Sequence, residues 1–167
     1  GDPASDSQIM GPVINRRQHE RVLAYIERGL EEGARLLLGG GIPAHLTKGY
    51  YIEPTVFVDV TNTMTIAREE IFGPVLVVIA YDDEEDAIRI ANDSVYGLSA
   101  GVWSASDARA LSVARRIRAG TINVNGGNYY AADAPFGGYK QSGIGREMGR
   151  EGFEEYLETK TIAIGVA

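Results

Sequence analysis

Cysteine is absent from the 167 residues, which excludes a disulfide framework, a thiolate metal cluster and a cysteine nucleophile supplied by this chain. Histidine is scarce: His19 and His45 stand far apart without a neighbouring carboxylate pattern, so no metal site is expected. Cations are outnumbered, 16 Lys and Arg against 23 Asp and Glu, and the net charge of −7 argues against nucleic acid or an anionic membrane as partner. No apolar run reaches bilayer length, and the opening Gly1-Asp2-Pro3 has neither a basic nor an apolar leader character, so a cytoplasmic protein is expected.

What is present suits a globular fold. A chain of this length can bury roughly 70% of its unfolded surface, and an apolar fraction of 44% supplies the core. Asn15, followed three residues later by Gln18, resembles a capping box, and Val22, Tyr25, Ile26, Gly29 and Leu30 recur at helical spacing. These residues predict a helix over 16–32. Leu36-Leu37-Leu38 reads as a short buried strand, and 50–60 as a strand whose pairing Pro54 limits. A short helical turn follows over 65–70, and 75–80 reads as a strand buried on both faces.

Asp83 is placed to cap the next helix, with Ala87, Ile88 and Ala91 inward and the acidic run 82–86 at the positive end of its dipole. A strand over 98–104 and a helix over 106–119 come next, with Leu111, Ala114 and Ile117 inward and Gly120 as the stop. Arg115, Arg116 and Arg118 read as a solvated face. A strand over 121–125, a glycine-rich loop to Gly145, a helix over 146–156 and an alternating strand through Ile162, Ile164 and Val166 complete the chain. The alternation predicts an α/β fold, doubly wound around a largely parallel sheet. With no Ser- or Pro-rich linker, residues 1–157 read as one body and 158–167 as a terminal β arm.

Residues 137–145, G-G-Y-K-Q-S-G-I-G, invite a phosphate-loop reading, but Gln141 separates Lys140 from Ser142 and Tyr139 precedes the lysine. Gly143, Gly145 and Gly149 follow a loop, not a strand, so a dinucleotide fingerprint is refused too. These glycines read instead as tight turns and positive φ, and Lys140 as an exposed ammonium in preference to a Schiff-base lysine. Glu69-Glu70 before Ile71-Phe72-Gly73-Pro74 has two readings. It is a solvated acidic pair ending a short helix, or a carboxylate held before a rigid turn where it can accept two hydroxyl hydrogen bonds from a diol such as ribose.

Three stretches carry a family resemblance. They are E-E-I-F-G-P-V at 69–75, N-D-S-V-Y-G-L-S at 92–99 and P-F-G-G-Y-K-Q-S-G-I-G-R-E at 135–147. In this order they resemble the aldehyde dehydrogenase superfamily, with support from Gly11-Pro12, from G-Y-Y-I-E-P-T at 49–55 and from Glu158-Thr159-Lys160. The resemblance covers essentially the whole chain but only the C-terminal portion of the family's catalytic domain. Family chemistry is attack of a cysteine thiolate on an aldehyde, hydride transfer to NAD(P)+ and hydrolysis of the thioester with a glutamate base. Cysteine, base and nucleotide-binding domain all match positions upstream of Gly1. The resemblance therefore implies a truncated piece of an NAD- or NADP-dependent oxidoreductase, without catalytic residues of its own and inactive alone.

By the same resemblance, Glu70 binds the nicotinamide ribose, Phe72 borders the nicotinamide pocket, and Gln18 either approaches the ribose or completes its capping box. Asn128, Tyr130 and Phe136 line the substrate tunnel, where aromatic walls suit a hydrophobic aldehyde. Arg146 and Glu158 form a pair near an oligomer interface, and 161–166 is the strand that joins a homo-oligomer by adding to another subunit's sheet. Two other readings share the fold: a non-catalytic binding or assembly module, and a semialdehyde or acylating dehydrogenase of the same superfamily.

Overall fold

The structure is a computed structural model that describes residues 1–5 and 10–165. It divides into two compact units, residues 1–81 and 82–167, at a boundary that no linker composition marks.

In the first unit, helix α1 (Arg16–Glu31) begins at Asn15, whose side chain accepts the Gln18 N–H at 2.9 Å, and presents Val22, Ile26 and Gly29 to the core. Three short strands, β1 (Arg35–Leu38), β2 (Thr55–Val58) and β3 (Val75–Val77), form one sheet in that order, with β1 antiparallel and β3 parallel to β2. Phe57 of β2 is fully buried with Val22 and Ile26 of α1 and with Ile66 and Ile71. Helix α2 (Thr65–Arg68) packs close because Gly29 carries no side chain, and a Cβ there would meet Ile66 at 2.9 Å. No side chain of its own caps α2. Glu32, at the end of α1, instead accepts the Thr65 N–H at 2.7 Å and the Thr65 hydroxyl at 2.6 Å, and these bonds hold its carboxyl below the usual range.

In the second unit, β4 (Ser99–Val102) and β5 (Thr121–Val124) pair in parallel, with α3 (Glu84–Asn92) and α4 (Asp107–Ala114) contributing buried Ile88 and Ala110. Asp83 caps α3 by accepting the Asp86 N–H. The acidic first turn of α3 also has partners: Glu84 binds Arg109 at 2.7 Å, and Glu85 takes a forked pair of bonds from Arg116. Arg116 thus departs from the solvated face expected of it. A 3-10 turn (Lys140–Ser142) and α5 (Gly149–Glu154) follow.

The α/β alternation is present, but the sheet differs from the expected one. Two of the three strand pairings are parallel, yet they belong to two small sheets. Leu76, between the core-packed Val75 and Val77, is 59% exposed because the Phe57 core covers one face of the sheet, and Leu37 and Leu38 are 60% and 58% exposed, against the expectation of buried strands. The helix expected over 106–119 stops at Ala114, where Asn92 Oδ1 takes the Arg118 N–H at 2.7 Å and turns the chain away, and Leu111 faces outward while Ala110 is buried. The helix expected from 146 starts only at Gly149, because Glu147 is engaged in a bridge with Phe136 and Met148 has φ +59°. Residues 158–165 form no strand in the single chain, and Val166 lies outside the described residues.

Candidate functional site

Gln18, Arg21, Val22 and Tyr25 lie at helical spacing on one face of α1, and that face grips residues 69–73. Gln18 Nε2 donates to the carbonyls of Ile71 at 3.0 Å and Phe72 at 2.9 Å. Arg21 Nη2 donates to the Glu70 carbonyl at 2.7 Å, and the Tyr25 hydroxyl donates to Glu69 Oε2 at 2.7 Å. Gly73 lies so close to the helix that a Cβ there would meet Val22 at 2.5 Å. The capping box is therefore half formed. Asn15 caps α1, but the Gln18 amide turns to the loop instead of returning to the Asn15 backbone.

This grip maintains an unusual backbone. Phe72 sits at φ +55°, a region costly for a residue with a Cβ, and the residue is 71% exposed. Ile71 beside it is buried and anchors the turn. Glu70 is exposed, and among the described residues its carboxylate makes no hydrogen bond, so both oxygens are free to accept. The three residues assigned to the cofactor come together here, with Glu70 and Phe72 presented outward and Gln18 committed to the carbonyls behind them.

In the second unit, Tyr130 and Phe136 meet edge to face with ring centroids 5.3 Å apart. The base of their loop is stapled by two backbone bonds between Phe136 and Glu147, at 2.8 and 2.7 Å, and by the Gly149 N–H to the Ala132 carbonyl. Tyr129 donates to Asp133 at 2.9 Å, which raises the phenol's pKa. Asn128 is exposed and has no part in the ring contact.

The segments 92–99 and 135–147 are sewn to each other. Lys140 Nζ donates to the carbonyls of Asn92 at 2.9 Å and Ser94 at 3.0 Å, so it is a half-buried clamp, not the exposed ammonium expected. Tyr139 N–H and Gly120 N–H share the Gly97 carbonyl, and Ser142 Oγ accepts the Gly97 N–H. Arg146 donates to the Gly138 and Gly145 carbonyls at 2.9 and 2.8 Å and lies 5.5 Å over the Tyr139 ring. Glu158 is exposed and makes no ion pair with Arg146 among the described residues. The expected pair is not formed within one chain, because the guanidinium is already committed to the loop.

Residues 1–162 match the aldehyde dehydrogenase family. The chain belongs to that family. A betaine aldehyde dehydrogenase of Brucella anthropi is 51% identical over 166 residues, which are 98% of this chain and 34% of the relative. Among solved structures, a Mycobacterium tuberculosis aldehyde dehydrogenase complexed with NAD+ superposes with a TM-score of 0.89 at 54% identity, covering 93% of this chain and 32% of its own. An aldehyde dehydrogenase C variant from Pseudomonas syringae, complexed with NAD+ and octanal, does so with a TM-score of 0.89 at 53% identity, covering 96% and 33%. The chain thus spans about a third of the length of these relatives.

In this aldehyde dehydrogenase chain, several site-building residues carried no sequence signal of their own. Arg21 and Tyr25 fall among the charged and apolar residues of an amphipathic helix, and only their spacing from Gln18 hinted at a shared face. Asn92 was legible only as the first residue of the motif at 92–99; that it accepts the Arg118 N–H and donates to the Arg116 carbonyl at 2.9 Å was not.

Proposed function

We propose that this chain is the C-terminal part of the catalytic domain of an NAD(P)+-dependent aldehyde dehydrogenase that oxidises an aldehyde to a carboxylic acid. The observation that carries the reading is Glu70: an exposed carboxylate without a hydrogen-bond partner among the described residues, on a backbone held by Gln18 and Arg21 of α1 beside an exposed Phe72. Two free acceptor oxygens suit the two hydroxyls of a ribose, and an exposed ring suits the flat face of a nicotinamide. NAD(P)+, when bound, supplies the hydride acceptor. Glu70 binds the ribose, Phe72 bounds the pocket, and Gln18 and Arg21 hold the backbone that carries both. NAD+ accompanies the similar solved enzymes and is the first cofactor to test.

The aromatic pair Tyr130 and Phe136, with Asn128 nearby in sequence, is assigned to the wall of the aldehyde site. Aromatic faces accept an aliphatic chain and also a quaternary ammonium group, so octanal and betaine aldehyde are both informative substrates. The nucleophile must come from outside these 167 residues, which contain no cysteine. In the full-length enzyme, reduction of NAD+ or NADP+ by an aldehyde is expected, with none from the isolated chain. No reduction by the full-length protein would favour a non-catalytic assembly module, and a requirement for coenzyme A would favour an acylating dehydrogenase. Turnover by the purified isolated chain would overturn the assignment of the nucleophile.

Residues 1–157 belong in this reading to the catalytic domain and 158–167 to an oligomerisation arm, a cytoplasmic homo-oligomer being the expected state. Ile162 and Ile164 are 79% and 90% exposed, and an alternating apolar segment gains a strand only by pairing with another edge. Deleting residues 161–167 from the full-length enzyme is expected to lower its oligomeric state in light scattering. An unchanged mass would remove the arm's role.

A further inference from the structure

Two glutamates stand side by side at the turn before Ile71, yet only one of them is free. Glu69 Oε2 is held by the Tyr25 hydroxyl at 2.7 Å, and Arg21, 5.3 Å over the Tyr25 ring, donates to that hydroxyl at 3.3 Å and to the Glu70 carbonyl at 2.7 Å. The Tyr25 ring already packs against the core cluster, so burial accounts for the ring but not for the hydroxyl. Glu69 is exposed. A hydrogen bond to an exposed carboxylate adds little to stability, because water competes for both partners. Its consequence is geometric. It ties the residue before Glu70 to the rigid face of α1, four residues beyond the Arg21 that holds the Glu70 carbonyl.

We propose that Tyr25 is a positioning residue for the cofactor site: by tethering Glu69 to α1 it leaves Glu70 as the one carboxylate presented to the ribose and fixes the backbone that carries it. This rests on the reading of Glu70 as the ribose ligand. Released from Tyr25, Glu69 becomes a second acceptor one residue away, able to take the same hydroxyls in a different register. It also frees the peptide between the two acids to rotate, which costs the preorganisation that a bound diol exploits.

The experiment is NAD+ titration calorimetry on the full-length enzyme, which reads binding without turnover. Tyr25→Phe keeps the ring and removes the tether, and is expected to weaken NAD+ about tenfold. Glu69→Ala is expected to do the same, and the double variant to be no weaker than either single one, since both remove one contact. Glu69→Gln keeps an acceptor oxygen for the tyrosine hydroxyl and is expected to stay within about twofold of wild type. Should Tyr25→Phe fold poorly, the contrast between Glu69→Ala and Glu69→Gln at an exposed position still decides the matter. Penalties that multiply in the double variant, or a Glu69→Gln as weak as Glu69→Ala, would overturn the tether. If Glu70→Gln weakens NAD+ while Tyr25→Phe and Glu69→Ala do not, the ribose site stands and the positioning role falls. If Glu70→Gln leaves NAD+ binding intact, the ribose reading itself falls and the tether with it.

Discussion

Replacing Gly120 by alanine is expected to destabilise the protein by about 3 kcal/mol, one of the largest effects available to a single methyl group in this chain. A Cβ on Gly120 would lie 1.7 Å from the Gly137 carbonyl oxygen and 2.8 Å from its carbon. Both are backbone atoms, so no rotamer change relieves the overlap. Nor is the backbone free to withdraw. The Gly120 N–H is bonded to the Gly97 carbonyl at 3.0 Å, the Tyr139 N–H reaches the same oxygen at 2.8 Å, and Lys140 and Ser142 fasten the next turn. Relief must therefore come from separating segment 135–147 from the start of β5. For a chain of 167 residues this corresponds to a fall of roughly 6 to 12 °C in thermal midpoint. Gly11→Ala, where a Cβ would meet nothing nearer than Pro3 Cγ at 3.6 Å, an ordinary van der Waals contact, is the control and is expected to leave the midpoint unchanged. A Gly120→Ala midpoint equal to that control would show that the two segments separate at little cost.

Gly120 also marks how far the sequence could be read. As the residue after a helical pattern it suggested a stop, but α4 ends at Ala114 and the glycine is needed for a backbone approach from a segment 17 positions away. Of the glycines over 137–145, only Gly143 has a positive φ, while Gly137 and Gly138 serve as gaps in a packed interface. Periodicity and capping are local, so α1 and α3 with their caps Asn15 and Asp83, and the turn of α2, were legible, and so were the short parallel strands, whereas the Glu32 bonds that hold the start of α2 were not. Strand burial was not, because an apolar run carries no record of whether a second layer covers it: Leu76 looked like core and is 59% exposed. At the site, the candidates Glu70 and Phe72 were legible through a motif. The devices that hold them, the Gln18 clamp and the Tyr25 tether, join residues 53 and 44 positions apart and exist only once the chain has folded.

Exchanging Glu70 for glutamine in the full-length enzyme is expected to slow hydride transfer about tenfold to a hundredfold while leaving the fold intact. The two halves of this expectation have separate sources. The fold is spared because the anchors of the turn do not use the Glu70 side chain: Arg21 holds its carbonyl, Gln18 holds the next two carbonyls, Tyr25 holds Glu69 and Val22 packs against Gly73. An exposed substitution away from such anchors shifts stability by about 0.5 kcal/mol at most. The rate suffers because a carboxylate accepts through two oxygens and an amide through one, so a diol held by both loses a charged acceptor worth roughly 1.5 to 3 kcal/mol. The nicotinamide ring is attached to that ribose, and a small displacement of a hydride acceptor from its line of approach is costly, with each 1.4 kcal/mol or so a factor of ten. A carboxylate that merely solvates the end of α2 predicts the opposite pattern, a small stability change and unaltered kinetics. Single-turnover formation of the reduced cofactor, measured beside the thermal midpoint, separates them. Wild-type hydride-transfer rates in Glu70→Gln would remove this residue from the cofactor site and leave its freedom from internal partners as surface chance.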